Sequence, residues 1–186
     1  MTLPPLAVTA YTVVNCLGAG KQALLQALLA RRSGLAPCSF DDARLDAYAG
    51  QIADAELRPV TGEFAEFDCR NHRIAQLALG QDGFEQAAAG AAARHGSARV
   101  AVVLGTSTSG IHQTELAYRG RNPVNGRLPP GFRYATTHNI HSLAAFVQRR
   151  LGLKGPSLVV STACSSSAKV FGTAARMIAA AWCDAA

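Results

Sequence analysis

The chain is poor in lysine, in acid and in aromatic residues, and it has no long apolar run. Lysine occurs only at positions 21, 154 and 169, so nearly all of the positive charge is arginine. Basic side chains outnumber acidic ones by 18 to 12, giving a formal net charge of +6 and a pI near 9.4. That balance favours an acidic partner. The basic residues never form a run of five or more and no nucleic-acid motif is present, which argues against DNA or RNA as that partner. The five cysteines (Cys16, Cys38, Cys69, Cys164 and Cys183) are odd in number and include no C-x-x-C pair. This excludes a disulfide framework and a zinc site and implies reduced thiols in the cytoplasm. The opening M-T-L-P-P-L-A-V lacks a basic segment followed by an apolar one and does not read as a signal peptide. No stretch of 18 uncharged apolar residues exists to span a membrane. What is present is core material. A hydrophobic fraction of 49% against 16% charged suits a folded chain, and 186 residues make one large domain or part of a larger one.

Residues 6–14 are β-rich and read as a buried strand, broken by Gly18 and Gly20. Residues 21–31 carry Leu24, Leu25, Leu28 and Leu29 at helical spacing. Residues 41–69 are irregular. Residues 70–94 predict one long helix, despite Gly80, Gly83 and Gly90. R-V-A-V-V-L (99–104) is an unbroken run that suits a strand buried on both faces, followed by G-T-S-T-S-G (105–110) and a short helix over 111–118. A Pro/Gly/Arg loop fills 119–133, a helix 136–151, a third strand 157–161 and a last helix 165–183. Strands that alternate with helices and are apolar throughout predict an α/β, mostly parallel sheet covered by helices on both faces. The last helix has no Gly or Asn cap and no following strand, so the reading expects the chain to stop where the next strand begins. An unfinished sheet with bare edges would be marginally stable or prone to aggregate.

V159-V-S-T-A-C-S-S-S-A-K169 places Cys164 between a strand and a helix. At a helix N-terminus the first N–H groups lack intrahelical partners and the dipole end is positive. Both favour a thiolate, the nucleophilic form, and the same N–H groups can donate to an oxyanion at an attacked carbonyl. The small neighbours Ala163, Ser165 and Ser166 let a substrate approach. A strand–elbow–helix also presents the nucleophile of serine hydrolases, although G-x-S-x-G is absent. Acyl transfer at Cys164 is the reaction class this context indicates. The following helix shows an apolar stripe of Phe171, Ala174, Ala175, Ile178 and Trp182, which predicts a nearly buried helix. The other four cysteines lack such a context and read as structural. His72, His95, His112, His138 and His141 read as surface or loop histidines.

S-T-A-C-S-S-S-A (161–168), preceded by G-L-K-G-P-S (152–157), resembles the nucleophile motif of the β-ketoacyl-acyl-carrier-protein synthases. V-V-L-G-T-S-T-S-G (102–110), R-R-S-G-L (31–35) and R-N-H-R-I-A-Q-L-A (70–78) resemble further family segments in the same order. The chain departs from the family at V8-T-A-Y-T-V-V-N-C-L-G18, where two glycines and a proline of the usual Gly-rich start are replaced.

The resemblance implies a thiolase-like fold, of which residues 1–186 form an incomplete N-terminal half. It implies Cys164 as acyl acceptor in a decarboxylative condensation with a malonyl carrier thioester, without metal or cofactor. Two histidines that assist in the family lie in its second half and match none of the five present here. Ser107, Thr108, Ala163 and Ser165 would line the substrate site, with Thr108 the best pocket residue. Arg70, Arg73, Arg127 and Arg133 would dock an acidic acyl carrier protein. Residues 157–161 would form the edge of a homodimer, or of a heterodimer with a related synthase subunit. Two alternatives stay open: a non-catalytic module that binds carrier protein or synthase, and another thiol acyltransferase or hydrolase.

Overall fold

The computed structural model describes residues 5–43, 45–52, 55 and 58–186. The chain first forms a small hairpin, β1 (Val14–Asn15) antiparallel to β2 (Gly18–Ala19). The Asn15 side chain closes it, because its Oδ1 accepts the Leu17 N–H at 2.8 Å. An Asx turn thus replaces the glycines that the family start would supply. Helix α1 (Lys21–Leu29) is tied at its start to Asp82, whose two carboxylate oxygens each lie 3.1 Å from the Lys21 N–H. A second hairpin pairs β3 (Leu35–Pro37) with β4 (Tyr48–Gly50). A 3-10 stretch, Gly62–Phe67, leads into α2 (Arg70–Leu79) and α3 (Phe84–His95). Strand β5 (Val102–Gly105) and helix α4 (Ile111–Arg119) follow. A π turn at Tyr134–His138 precedes α5 (Ser142–Arg150), then come β6 (Ser157–Val160) and α6 (Ser166–Ala179).

Several sequence expectations need correction. The strand expected over 6–14 shrinks to the two residues of β1, and Leu6, Val8 and Tyr11 are exposed. Ala185 bridges in parallel to Val100, just before β5 is reached in sequence. That lone bridge lies where the sequence places the start of the next strand. The single helix over 70–94 is two, because Asp82 and Gly83 turn the chain at φ 57° and 73°. The helix over 136–151 starts only at Ser142, after Asn139 takes an extended ψ of 129°.

The sheet itself is small. Strands β5 and β6 pair in parallel, with Val102 opposite Ser157 and Gly105 opposite Val160. Successive amides where β5 begins point to opposite sides, so the Ala101 N–H reaches Ala185 O while the Val102 N–H reaches Pro156 O, both at 2.8 Å. Side chains alternate in the same way. Val100 and Val102 enter the main core with Phe67, Leu79, Phe146, Val147 and Leu153. Ala101 packs on the other face with Met177 and Cys183. The strand is therefore covered on both faces, as its unbroken apolar run predicts. Phe146 is fully buried and meets Phe64 edge-on at 6.0 Å, between rings of Phe67 and His72. Phe146→Ala should cost about 4 kcal/mol of stability in a denaturant titration, the usual loss for a buried aromatic truncated to alanine. A loss below about 1 kcal/mol would mean the core collapses to fill the gap.

Candidate functional site

Cys164 lies in a single 3-10 turn, Ala163–Ser165, directly before α6 rather than in the helix itself. Ala163 turns the chain at φ 50°, a left-handed value that is uncommon for a residue with a Cβ. Hydroxyl groups hold this bend. Ser166 Oγ donates to Ala163 O at 2.7 Å and accepts the Thr162 N–H at 2.9 Å. Ser165 Oγ donates to Thr162 O at 2.9 Å and lies 3.0 Å from Thr162 Oγ1. The small polar residues around the cysteine therefore build the elbow, and Cys164 takes no part in those bonds. Ser166 is buried, whereas Cys164 is the one exposed cysteine of the five. The Ser165 side chain makes no capping bond to the helix it precedes.

The elbow is seated against β5. A Cβ on Gly105 would lie 2.7 Å from Ser166 C and 2.8 Å from Ser167 N, so only glycine admits the first turn of α6 this close. The helix as a whole is less buried than its stripe predicts. Met177 carries its buried contact, while Phe171 and Trp182 are 66% and 63% exposed. The packing face is thus rotated from the expected one.

Ser107 and Thr108 are exposed on the loop that begins at Gly105, and Ala163 and Ser165 flank the cysteine in the turn. The four arginines divide. Arg73 grips Asp68 with Nε at 2.7 Å and Nη2 at 2.6 Å, which holds the Asp68 carboxyl below its usual range. Arg70 lies over the Phe40 ring at 5.0 Å. Arg127 and Arg133 are exposed, and Arg133 borders a cavity shared with Glu66, Asp68 and Phe132. That cavity and a second one beside β1 and Arg32 both lie away from Cys164.

The sequence reading missed a buried polar chain. His72, expected at the surface, is fully buried against Phe146. Its Nδ1 is 2.6 Å from Phe67 O and its Nε2 is 3.4 Å from Ser142 Oγ, which in turn is 3.3 Å from Ser109 Oγ. Ser109 Oγ also donates to Asn139 O at 3.2 Å. A histidine two residues into a helix, after an apolar Phe67 and Cys69, is the only signal the sequence offered. Burial pushes the His72 imidazole below its ordinary value of 6.5 and the nearby Cys69 thiol upward. The folded chain thus binds the His72 proton more weakly than the unfolded one. Its contribution to stability is complete above pH 6.5 and declines as pH falls below it. Melting temperature plotted against pH should drop on the acid side, and His72→Gln should flatten that limb. Parallel curves for the two proteins would assign the limb to other groups.

The family model described as "Beta-ketoacyl synthase, N-terminal domain" matches residues 4–186. No curated protein matches the chain. A solved ketosynthase (ApeO) in complex with its chain length factor (ApeC) from Xenorhabdus doucetiae is 25% identical, with a TM-score of 0.67 over 95% of this chain and 44% of that one. A beta-ketoacyl synthase from Burkholderia phymatum is 21% identical, with a TM-score of 0.61 over 91% of this chain and 42% of that one, a likeness of fold. The chain spans less than half the length of these two structures. Their thiolase-like fold is the α/β arrangement seen around β5 and β6, here an incomplete N-terminal half. Taken with the match along almost its full length, this places the chain in the family of beta-ketoacyl synthase N-terminal domains.

Proposed function

We propose that the chain supplies the nucleophile of a 3-oxoacyl-carrier-protein synthase in fatty acid or polyketide assembly. The observation that carries this reading is the exposed Cys164 on a hydroxyl-built elbow at the start of α6, in a chain of this family. The Cys164 thiolate attacks the carbonyl carbon of an acyl-carrier thioester. A new C–S bond forms, the carrier's C–S bond breaks, and the carrier leaves as its thiolate. A malonyl-carrier thioester then loses CO2, and its α-carbon attacks the acyl–Cys164 carbonyl. The new C–C bond releases the Cys164 thiolate. By resemblance, the Cys164 N–H provides one oxyanion donor, and the two decarboxylating histidines come from a part of the family's fold that these residues do not match.

Ser107, Thr108, Ala163 and Ser165 are the proposed walls of the acyl site. Arg127 and Arg133, exposed and outside any ion pair among the described residues, are the better-placed docking groups for an acidic carrier protein; Arg73 is already neutralised by Asp68. Strand β6 pairs on one edge with β5, and no described residue pairs with its other edge. That edge is the proposed dimer contact. The chain length factor bound to the Xenorhabdus ketosynthase supports a related synthase subunit as the partner.

Intact mass before and after incubation with an acyl-carrier thioester tests the reading, on protein from its native source. One acyl group gained and mapped to Cys164 supports it. No acyl gain, with carrier protein still bound, would transfer the assignment to a non-catalytic binding module.

A further inference from the structure

We propose that His72 is a positioning residue for acyl transfer, which through Ser142 and Ser109 holds the 105–110 loop in place beside the Cys164 elbow. The proposal rests on the reading of Cys164 as acyl acceptor.

The proton order in the buried chain is dictated by its end. Phe67 O can only accept, so at 2.6 Å it requires the hydrogen on His72 Nδ1. Nε2 is then an acceptor and takes the Ser142 hydroxyl proton. The Ser142 oxygen is left to accept, and the single Ser109 hydroxyl proton is shared between it at 3.3 Å and Asn139 O at 3.2 Å. Only the neutral imidazole can play this part. The groups around it do not oppose that state. Cys69 Sγ lies 3.2 Å from Nδ1, Asp68 is paired with Arg73, and α5 contributes the uncharged Ser142 and Phe146. Arg149, which flanks Phe67, is paired with Glu66 at 2.8 Å.

This chain joins segments 33 and 70 residues apart in sequence, and it ends on a strained residue. Ser109 is buried at φ 46°, a left-handed conformation that a serine keeps only when its surroundings hold it. The loop is clamped at both ends. Gly105 lies against the backbone of Ser166 and Ser167, and Gly110 lies against the Thr137 carbonyl so closely that a Cβ has no room. Only Ser107 and Thr108 between these clamps are exposed. The elbow, in contrast, is held by its own hydroxyl groups. Cutting the link at His72 or Ser142 should therefore move the loop without disarming the thiol. A purely structural role would instead lower both together.

The test compares four forms of the full-length protein: wild type, Ser142→Ala, His72→Phe and His72→Gln. Three quantities are read: amide hydrogen exchange at Ser109, alkylation of Cys164 by iodoacetamide, and acylation of Cys164 against thioester concentration. Ser142→Ala and His72→Phe should speed exchange and raise the half-saturating thioester concentration about tenfold, because a loosened loop misplaces the bound acyl chain. Alkylation should stay within about twofold, and His72→Gln, which can still donate and accept, should recover most of the loss. The proposal is overturned if His72→Gln is as impaired as His72→Phe, if alkylation falls in step with acylation, or if exchange at Ser109 is unchanged. Should His72→Phe not fold, Ser142→Ala decides alone, since it removes a single oxygen. A wild-type protein that is alkylated but never acylated would refute the proposed function, and the positioning role with it; exchange at Ser109 would still report whether the anchor exists.

Discussion

Cys164→Ala should abolish acyl uptake by the full-length protein, by at least about 10^4-fold, because no other group at the elbow can form the covalent intermediate. The fold should not notice. Cys164 is exposed, and the turn that carries it is closed by Thr162, Ser165 and Ser166, so the melting temperature should stay within about 2 °C. Cys69 and Cys183 are poor substitutes, since both are buried and burial raises both thiols. Peptide mapping after incubation with an acyl thioester checks the result. An acyl group still bound to the variant, at Cys16 or Cys38, would remove Cys164 from its role. Loss of acylation together with loss of the fold would mean that the thiol packs where the structure leaves it exposed.

Gly105→Ala should disturb the Cys164 elbow directly, through the first turn of α6. The new Cβ would meet the backbone of one peptide unit, at 2.7 Å from Ser166 C, 2.8 Å from Ser167 N and 2.9 Å from Ser166 O. No side chain can rotate away, so β5 or the first turn of α6 must move. Overpacking of this kind costs about 1–3 kcal/mol. The larger effect falls on chemistry, because a shift of about 1 Å at the elbow costs on the order of 100-fold in rate. Gly90→Ala is the matched control. Gly90 lies within α3 with nothing inside 4 Å of its Cβ position, and the exchange should stabilise the helix by roughly 1 kcal/mol. Equal acylation rates for Gly105→Ala and wild type would show that the β5–α6 contact yields without disturbing the thiol.

The elbow was legible because its determinants are close in sequence. An apolar strand, a run of small hydroxyl residues and a helix start within ten residues, and the bonds that hold the turn span only three or four positions. The β5 strand was legible for a similar reason, since an uninterrupted apolar run has to be covered twice. The hairpin at Asn15 shows the limit of motif reading. The missing glycines put the turn in doubt, yet a side-chain acceptor two residues upstream makes it anyway. The long helix over 70–94 failed where Asp82 has a second task. Its carboxylate caps α1 sixty-one residues earlier, and the chain bends there instead of continuing. Helical propensity is a weak prior against a tertiary bond of that kind.

The arginines divide along the same line. All four proposed docking residues look alike in sequence. Only the fold shows that Arg73 is committed to Asp68 and Arg70 to the Phe40 ring, while Arg127 and Arg133 face solvent. By itself, then, the sequence determined the layered α/β class, the position of the thiol and the turn beneath it, because each is set by contacts within a few residues. Tertiary structure alone decided that His72 is buried, that Gly105 must lack a side chain, and that α6 turns Met177 rather than Phe171 inward. Those outcomes depend on groups brought together from tens of residues away, and no local pattern of side chains encodes which of them will meet.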